Sequence, residues 1–242
     1  MKVWPLVLLS LALLSGCRNQ GPHRSFEPAT LDRVPVVPLV TQRGVSTALL
    51  AECSTLTTVS HGIPRKTPSG SASVSSMWFT YSVAASGDNL ERNWGFWNPD
   101  FAELGQQQDW AILSLSPALS PSSILQNPVS VSWSRQSPKV GEHLLLIGYT
   151  REKEELVRYW TLIEIIDVPV RHRKSDAGHH VWFKTVSGEK LREGFSGAPL
   201  LRAVDDGQFE ACAMMVSAAY VKDVPSDIGV AIVLDIPVEG LK

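Results

Sequence analysis

What most constrains this chain is the rhythm of its breakers. From about Val40 onward, short apolar, β-branched or aromatic runs are cut by Pro64, Gly87-Asp88, Pro117, Pro121, Pro138, Gly178, Gly188 and Asp205-Asp206-Gly207. Proline removes a backbone donor and glycine weakens a helix, so this punctuation stops helices early and leaves room for strands. Strands are predicted at Ser46–Ala51, Leu56–Val59, Ser73–Ala84, Trp110–Leu115, Val129–Trp133 and His143–Tyr149. Others follow at Val157–Val168, His180–Val186, Ala198–Arg202, Phe209–Ala219 and Gly229–Leu234. No stretch carries a convincing 3.6-residue apolar period, so the pattern predicts an all-β sandwich or barrel arrangement. The proline-marked stretch from Pro117 to Pro128 reads as the link between two β halves.

At 242 residues the chain can bury a sizeable core as one domain or two small ones packed together. Its 22 Lys and Arg against 24 Asp and Glu give a formal charge of -2, which supplies no broad positive field and excludes nucleic acid as the main partner. Three scattered cysteines provide neither a disulfide framework nor a closed zinc site, and no metal or organic cofactor is expected.

The first residues read as an address. Lys2 precedes an apolar run from Val3 to Leu14 that is too short to span a bilayer stably, which suits a secretion signal. It ends in Leu14-Ser15-Gly16-Cys17, which resembles the lipobox of bacterial lipoproteins. That resemblance implies cleavage after residue 16, acylation of Cys17 (the palmitate class of modification) and lasting membrane attachment outside the cytoplasm. Residues 17–38, polar and proline-bearing, then read as a tether, and 39–242 as the domain.

Three segments carry chemistry. Nucleophilic acyl transfer needs a hydroxyl, an imidazole to take its proton, a carboxylate to fix the imidazole and backbone donors for the oxyanion. Glu193-Gly194-Phe195-Ser196-Gly197-Ala198-Pro199 puts a serine into a glycine-rich turn that can aim its hydroxyl and amides at one point. Leu56-Thr57-Thr58-Val59-Ser60-His61 places a histidine just past a strand, and Asp109-Trp110-Ala111-Ile112-Leu113 an aspartate at the mouth of another. Alone, each would be a turn, a capping residue or a structural imidazole.

In the order His, Asp, Ser, these segments resemble the trypsin-like (chymotrypsin-fold) serine peptidases over roughly residues 40–237. The resemblance implies two six-stranded antiparallel β-barrels, about 39–120 and 129–237, with the active site in the cleft between them. It implies Ser196 as nucleophile, His61 as general base and acid, Asp109 as the buried partner of the imidazole, and the N–H groups of Gly194 and Ser196 as the oxyanion hole. By the same resemblance Ser217 would support the aspartate, Ala218 and Ala219 would pair with substrate backbone, and Lys190 would stand where the floor of the specificity pocket often lies. A solvent-facing loop lysine is the plainer reading of Lys190.

The chain also departs from that pattern. Phe195 stands where animal members carry an aspartate that pairs with a freshly cut N-terminus, so activation by terminal insertion is not expected. Cys53 and Cys212 read as buried free thiols rather than a bridge. Trp94, Phe96 and Trp97 read as anchors of the loop before Asp109, and the run Arg171-His172-Arg173-Lys174 with His179-His180 as a solvated loop. Together these features predict a membrane-tethered serine endopeptidase acting on protein or peptide substrates, with a catalytically impaired binding or scaffold lipoprotein of the same fold as the alternative.

Overall fold

In the computed structural model, residues 27–41, 44–51, 55–62, 79–82, 91–94, 109–114, 120–153, 155–167, 180–204, 207–221 and 224–233 are described. The first half is built from β1 (Val36–Thr41), β2 (Gly44–Ala51), β3 (Thr55–Val59), a hairpin of β4 (Phe79–Ser82) and β5 (Glu91–Trp94), and β6 (Trp110–Ser114). Strands β1, β2, β3 and β6 hydrogen-bond in that order, antiparallel throughout. The second half comprises β7 (Val131–Trp133), β8 (His143–Glu152), β9 (Glu155–Ile166), β10 (His180–Thr185), β11 (Pro199–Ala203), β12 (Phe209–Val221) and β13 (Val224–Val233). Here the order β11-β8-β9-β10-β13-β12 closes on itself because β12 pairs back with β11, and β7 lies outside, parallel to β12. Closure leaves the six strands no free edge for a foreign strand. The only helices among the described residues besides a 3-10 turn are single turns, α1 (Pro28–Leu31) and α2 (Pro121–Ile124), and none is long and apolar enough to cross a membrane.

Strand β8 shows why the barrel is apolar on both surfaces. Successive side chains point to opposite faces. Leu144 and Leu146 enter the barrel interior with Ile163, Phe183, Phe195, Leu200 and Ala231. Leu145 and Ile147 face outward and are covered by Leu31, Val34, Val36 and Leu49. A third cluster joins the halves: Val59 and Trp110 of the first sheet are buried against Met214 and Ile232 of the second.

The N-terminal part of the domain begins earlier than the sequence pattern indicates. The predicted tether runs to residue 38, whereas α1 starts at Pro28, β1 at Val36, and Leu31, Val34, Val36 and Val37 are buried. Arg158 explains the anchoring. Its guanidinium donates to the carbonyls of Leu31 (2.7 Å), Val34 (2.9 Å) and Val36 (3.4 Å) and stacks over Tyr149, satisfying three acceptors of an otherwise irregular segment. The predicted strand 73–84 is described only as β4, and β5 had no predicted counterpart.

Behind the barrel Arg202 makes a fork onto Glu142 (2.6 and 3.2 Å) and also reaches Ser134 and Glu210. Beside it, burial pushes the free Cys212 thiol up to about 11, which leaves it protonated and inert. Burial alone would raise the Glu142 pKa, but the Arg202 hydrogen bonds, the Lys139 N–H and the nearby positive charges outweigh it and hold it below its ordinary 4.5. A depressed carboxyl contributes stability above its unfolded pKa and loses it as pH falls through the folded value. Glu142→Gln should therefore cost about 1.5–3 kcal/mol at neutral pH, the scale of a hydrogen bond to a charged group, and flatten the acid limb of stability below about pH 4.5. Urea unfolding followed from pH 7 to pH 3 measures both; an acid limb as steep as the parent's would mean Glu142 is not its source.

Candidate active site

The register of β3 and β6 decides where the imidazole and carboxylate meet. Thr58 pairs with Ala111 and Val59 with Trp110, so one step further Ser60 and Asp109 lie opposite each other as the strands end. There the chain enters a 3-10 turn, Ser60–Gly62, which carries His61. Its ring Nδ1 lies 2.6 Å from Asp109 Oδ2, while the His61 backbone N–H donates to Asp109 Oδ1 at 2.9 Å. Asp109 adopts a left-handed backbone, φ 59°, a conformation that Asp and Asn reach more readily than other side-chain-bearing residues. Burial alone would raise its pKa; the hydrogen bond and charge of His61, together with the Ser60 hydroxyl and the His61 N–H, outweigh burial and lower it. The carboxylate is thus ionised and ready to orient an imidazole. Its side chain is 29% exposed and that of His61 46%, so Asp109 is only partly enclosed, short of the burial expected from the resemblance.

Ser196 sits in the turn before β11. Its Oγ donates to the Val216 carbonyl at 3.1 Å, and its own carbonyl accepts the Thr47 N–H at 2.8 Å. Thr47 is the rivet between the halves. Its hydroxyl donates to the Gly194 carbonyl (2.8 Å) and accepts the Tyr149 N–H (2.9 Å), and its carbonyl accepts the Thr58 hydroxyl (2.7 Å). Thr58 lies three residues before His61 on β3, so the turn bearing the hydroxyl and the strand delivering the imidazole are fastened to the same buried residue. The N–H groups of Gly194 and Ser196 donate to no backbone acceptor among the described residues.

Gly194 has φ 98°, and a Cβ there would lie 2.4 Å from the Tyr149 carbonyl oxygen, so the turn tolerates no side chain at this point. Between Gly194 and Ser196, Phe195 turns inward and is buried in the barrel core, its ring so close to Gly148 that a Cβ on that residue would sit 2.7 Å from it. An apolar seat thus fixes the turn where the animal enzymes use an ion pair. Upstream, the Arg192 guanidinium stacks 3.9 Å above the Tyr159 ring and pairs with Glu152, while the Tyr159 hydroxyl donates to the same carboxylate at 2.5 Å. These exposed contacts add alignment more than energy.

Other expected site residues fall differently. Ser217 does not support Asp109. The register of β12 against β13 slips between Met215 and Ser217, and this bulge leaves the Ser217 side chain exposed, while Ser60 supplies the hydroxyl that reaches Asp109 Oδ1 at 2.8 Å. Ala218 and Ala219 are half-buried on β12, with Ala218 opposite Gly229. Lys190 is exposed, and the residue that turns inward is its neighbour Leu191, buried with Phe183 against Gly229. No buried charge is therefore contributed there by Lys190. Trp94 ends β5 and His180 opens β10; Cys17, Cys53, Phe96, Trp97, the run 171–174 and His179 lie outside the described residues. Ser60, Thr47 and Leu191 were not identified from sequence. Only Ser60 had a signal, its place directly before His61.

No family model and no curated protein matches the chain by sequence. Solved structures do match in shape. A scabies mite inactivated protease paralogue is similar with a TM-score of 0.60 at 16% identity, covering 86% of this chain and 93% of its own. Mouse neuropsin, a serine protease, gives 0.56 at 16%, covering 83% and 89%, and kallikrein-related peptidase 10 gives 0.56 at 14%, covering 86% and 94%. The chain therefore has the chymotrypsin-like fold, and its structural neighbours are trypsin-like serine proteases. At such identities the likeness extends to architecture, and one of these neighbours is itself described as inactivated.

Proposed function

We propose that the chain is a serine endopeptidase that hydrolyses protein or peptide substrates through an acyl-enzyme. The observation that carries this reading is the 2.6 Å contact of His61 Nδ1 with Asp109 Oδ2, made by a strand that is fastened through Thr58 and Thr47 to the turn bearing Ser196. In the reaction the Ser196 hydroxyl turns from the Val216 carbonyl towards the imidazole, gives its proton to Nε2 and attacks the scissile carbonyl carbon. The N–H groups of Gly194 and Ser196 receive the negative oxygen. His61 returns the proton to the leaving amine, and water, deprotonated by the same ring, releases the acyl group. Asp109 holds the Nδ1–H tautomer and stabilises the imidazolium. Substrate backbone would pair along Ala218 and Ala219, and the exposed Lys190 contributes no buried charge to select the cleaved residue.

The proposal includes the N-terminal address: Cys17 carries lipid, and the domain works outside the cytoplasm on a membrane surface. A fluorophosphonate probe tests both parts in one experiment on the full chain. Wild type should take up the probe in the membrane fraction, Ser196→Ala should take up none, and Cys17→Ser should keep its labelling but shift to the soluble fraction. A second reading, a catalytically impaired binding protein on the same fold, is favoured by the bond that parks the Ser196 hydroxyl on Val216. A folded wild-type chain that never labels would select it.

A further inference from the structure

We propose that Ser60 is a positioning residue for the His61–Asp109 pair, taking over from the turn after β3 the support that the resemblance assigned to Ser217. The inference rests on the peptidase reading and concerns the same site.

The geometry around the carboxylate carries it. Asp109 Oδ1 accepts two hydrogen bonds, from the Ser60 hydroxyl at 2.8 Å and from the His61 N–H at 2.9 Å, while Oδ2 faces His61 Nδ1 at 2.6 Å. A carboxylate oxygen offers two in-plane lone pairs, and here both of those on Oδ1 are used. Rotation of the carboxylate about its Cβ–Cγ bond would break both bonds at once, so Oδ2 is held towards the ring. The main chain repeats the clamp, since the Ser60 N–H donates to the Asp109 carbonyl at 3.0 Å. Ser60 thus grips Asp109 by backbone and side chain together, from the position directly opposite it across the strand pair.

The plainer role for a serine at the start of a 3-10 turn is to cap that turn. A capping hydroxyl serves backbone N–H groups one to three residues along its own chain, whereas the Ser60 hydroxyl reaches a carboxylate 49 residues away at the mouth of β6. Ser60 is also half-buried, where such a bond is less open to competing water than on the surface. The exposed Ser217 leaves Ser60 as the side-chain hydroxyl on this carboxylate among the described residues.

The test uses the full chain with Ser60→Ala and Ser60→Thr, the latter keeping a hydroxyl on the same carbon. Ser60→Ala should lower kcat about tenfold, as expected for losing one hydrogen bond to a charged group, with KM changed less than about twofold. Ser60→Thr should return most of the rate. Independently of turnover, the downfield proton NMR signal of His61 Nδ1–H should exchange with water faster in the alanine variant and slow again in the threonine variant. A purely structural role would lower the melting temperature without moving that exchange rate, and would overturn the proposal. So would an alanine variant matching wild type in both kcat and exchange. If the wild-type chain hydrolyses nothing, the peptidase reading fails, while the exchange measurement still decides whether Ser60 holds the pair.

Discussion

Asp109→Asn should lower kcat about a thousandfold to ten-thousandfold while the melting temperature stays within a few degrees of the parent. The asparagine side chain has nearly the same shape, and its carbonyl oxygen can still accept from Ser60 and the His61 N–H at the Oδ1 position. The amide nitrogen then faces Nδ1 where Oδ2 now stands, 2.6 Å away, and a donor meets a donor. The ring can relieve this by moving its proton to Nε2, the tautomer unable to take a proton from Ser196. The backbone contributes little to the change, because Asp109 lies at φ 59° and asparagine is among the residues that tolerate that region best. This separates chemistry from folding in a way that alanine at the same position would not. Steady-state turnover of a peptide substrate, read beside a thermal melt, checks it. A variant within a fewfold of wild-type kcat would show that the carboxylate does not govern the tautomer and would remove the main support for the acyl-transfer mechanism.

What could be read from the sequence follows from how far each interaction reaches along the chain. Strand patterning is local: β8 shows as Leu144-Leu145-Leu146-Ile147, and the structure adds only that both its faces are covered. The meeting of His61 with Asp109 is implied by the family resemblance that the three motifs carry, not by strand patterning; the structure adds its physical cause, that each residue stands at the end of a strand and that β3 and β6 are neighbours. Phe195 was visible as a departure, but its seat against Gly148 depends on barrel closure, which no local pattern encodes. Ser217 was misjudged because a bulge shifts side-chain direction by one residue, and a bulge of this kind leaves no mark in Met215-Val216-Ser217. The start of the domain lies earlier than the local pattern indicates because Arg158, more than a hundred residues away, supplies the donors that let residues 31–35 pack without regular pairing and lead into β1. Thr47 was missed for a similar reason: its neighbours in sequence are ordinary strand residues, and its partners lie in Gly194, Ser196 and Tyr149.

Gly197→Ala should be among the most destabilising single substitutions in this molecule, because two penalties coincide there. Gly197 has φ 86°, and a left-handed backbone costs a side-chain-bearing residue about 1–2 kcal/mol. The added methyl would also stand 2.0 Å from the Thr47 carbonyl oxygen and 2.4 Å from the Thr58 hydroxyl oxygen, far inside contact distance. The first neighbour is backbone and cannot swing away; the second is bound to that same carbonyl at 2.7 Å. Relief requires the β2–β3 seam to separate from the Ser196 turn, at about 1–3 kcal/mol for an overpacked interior and about 1 kcal/mol for the lost Thr58 hydrogen bond. The sum of about 3–6 kcal/mol corresponds to a fall of roughly 6–24 °C in a domain of this size. Gly141→Ala is the matched control: its φ is 80°, yet nothing lies within 4 Å of the new methyl, so it should show the backbone penalty alone. Melting curves of both variants separate strain from collision. Equal falls would mean that the seam can open without cost, and Thr47 would no longer qualify as the fastening between the turn bearing Ser196 and the strand that delivers His61.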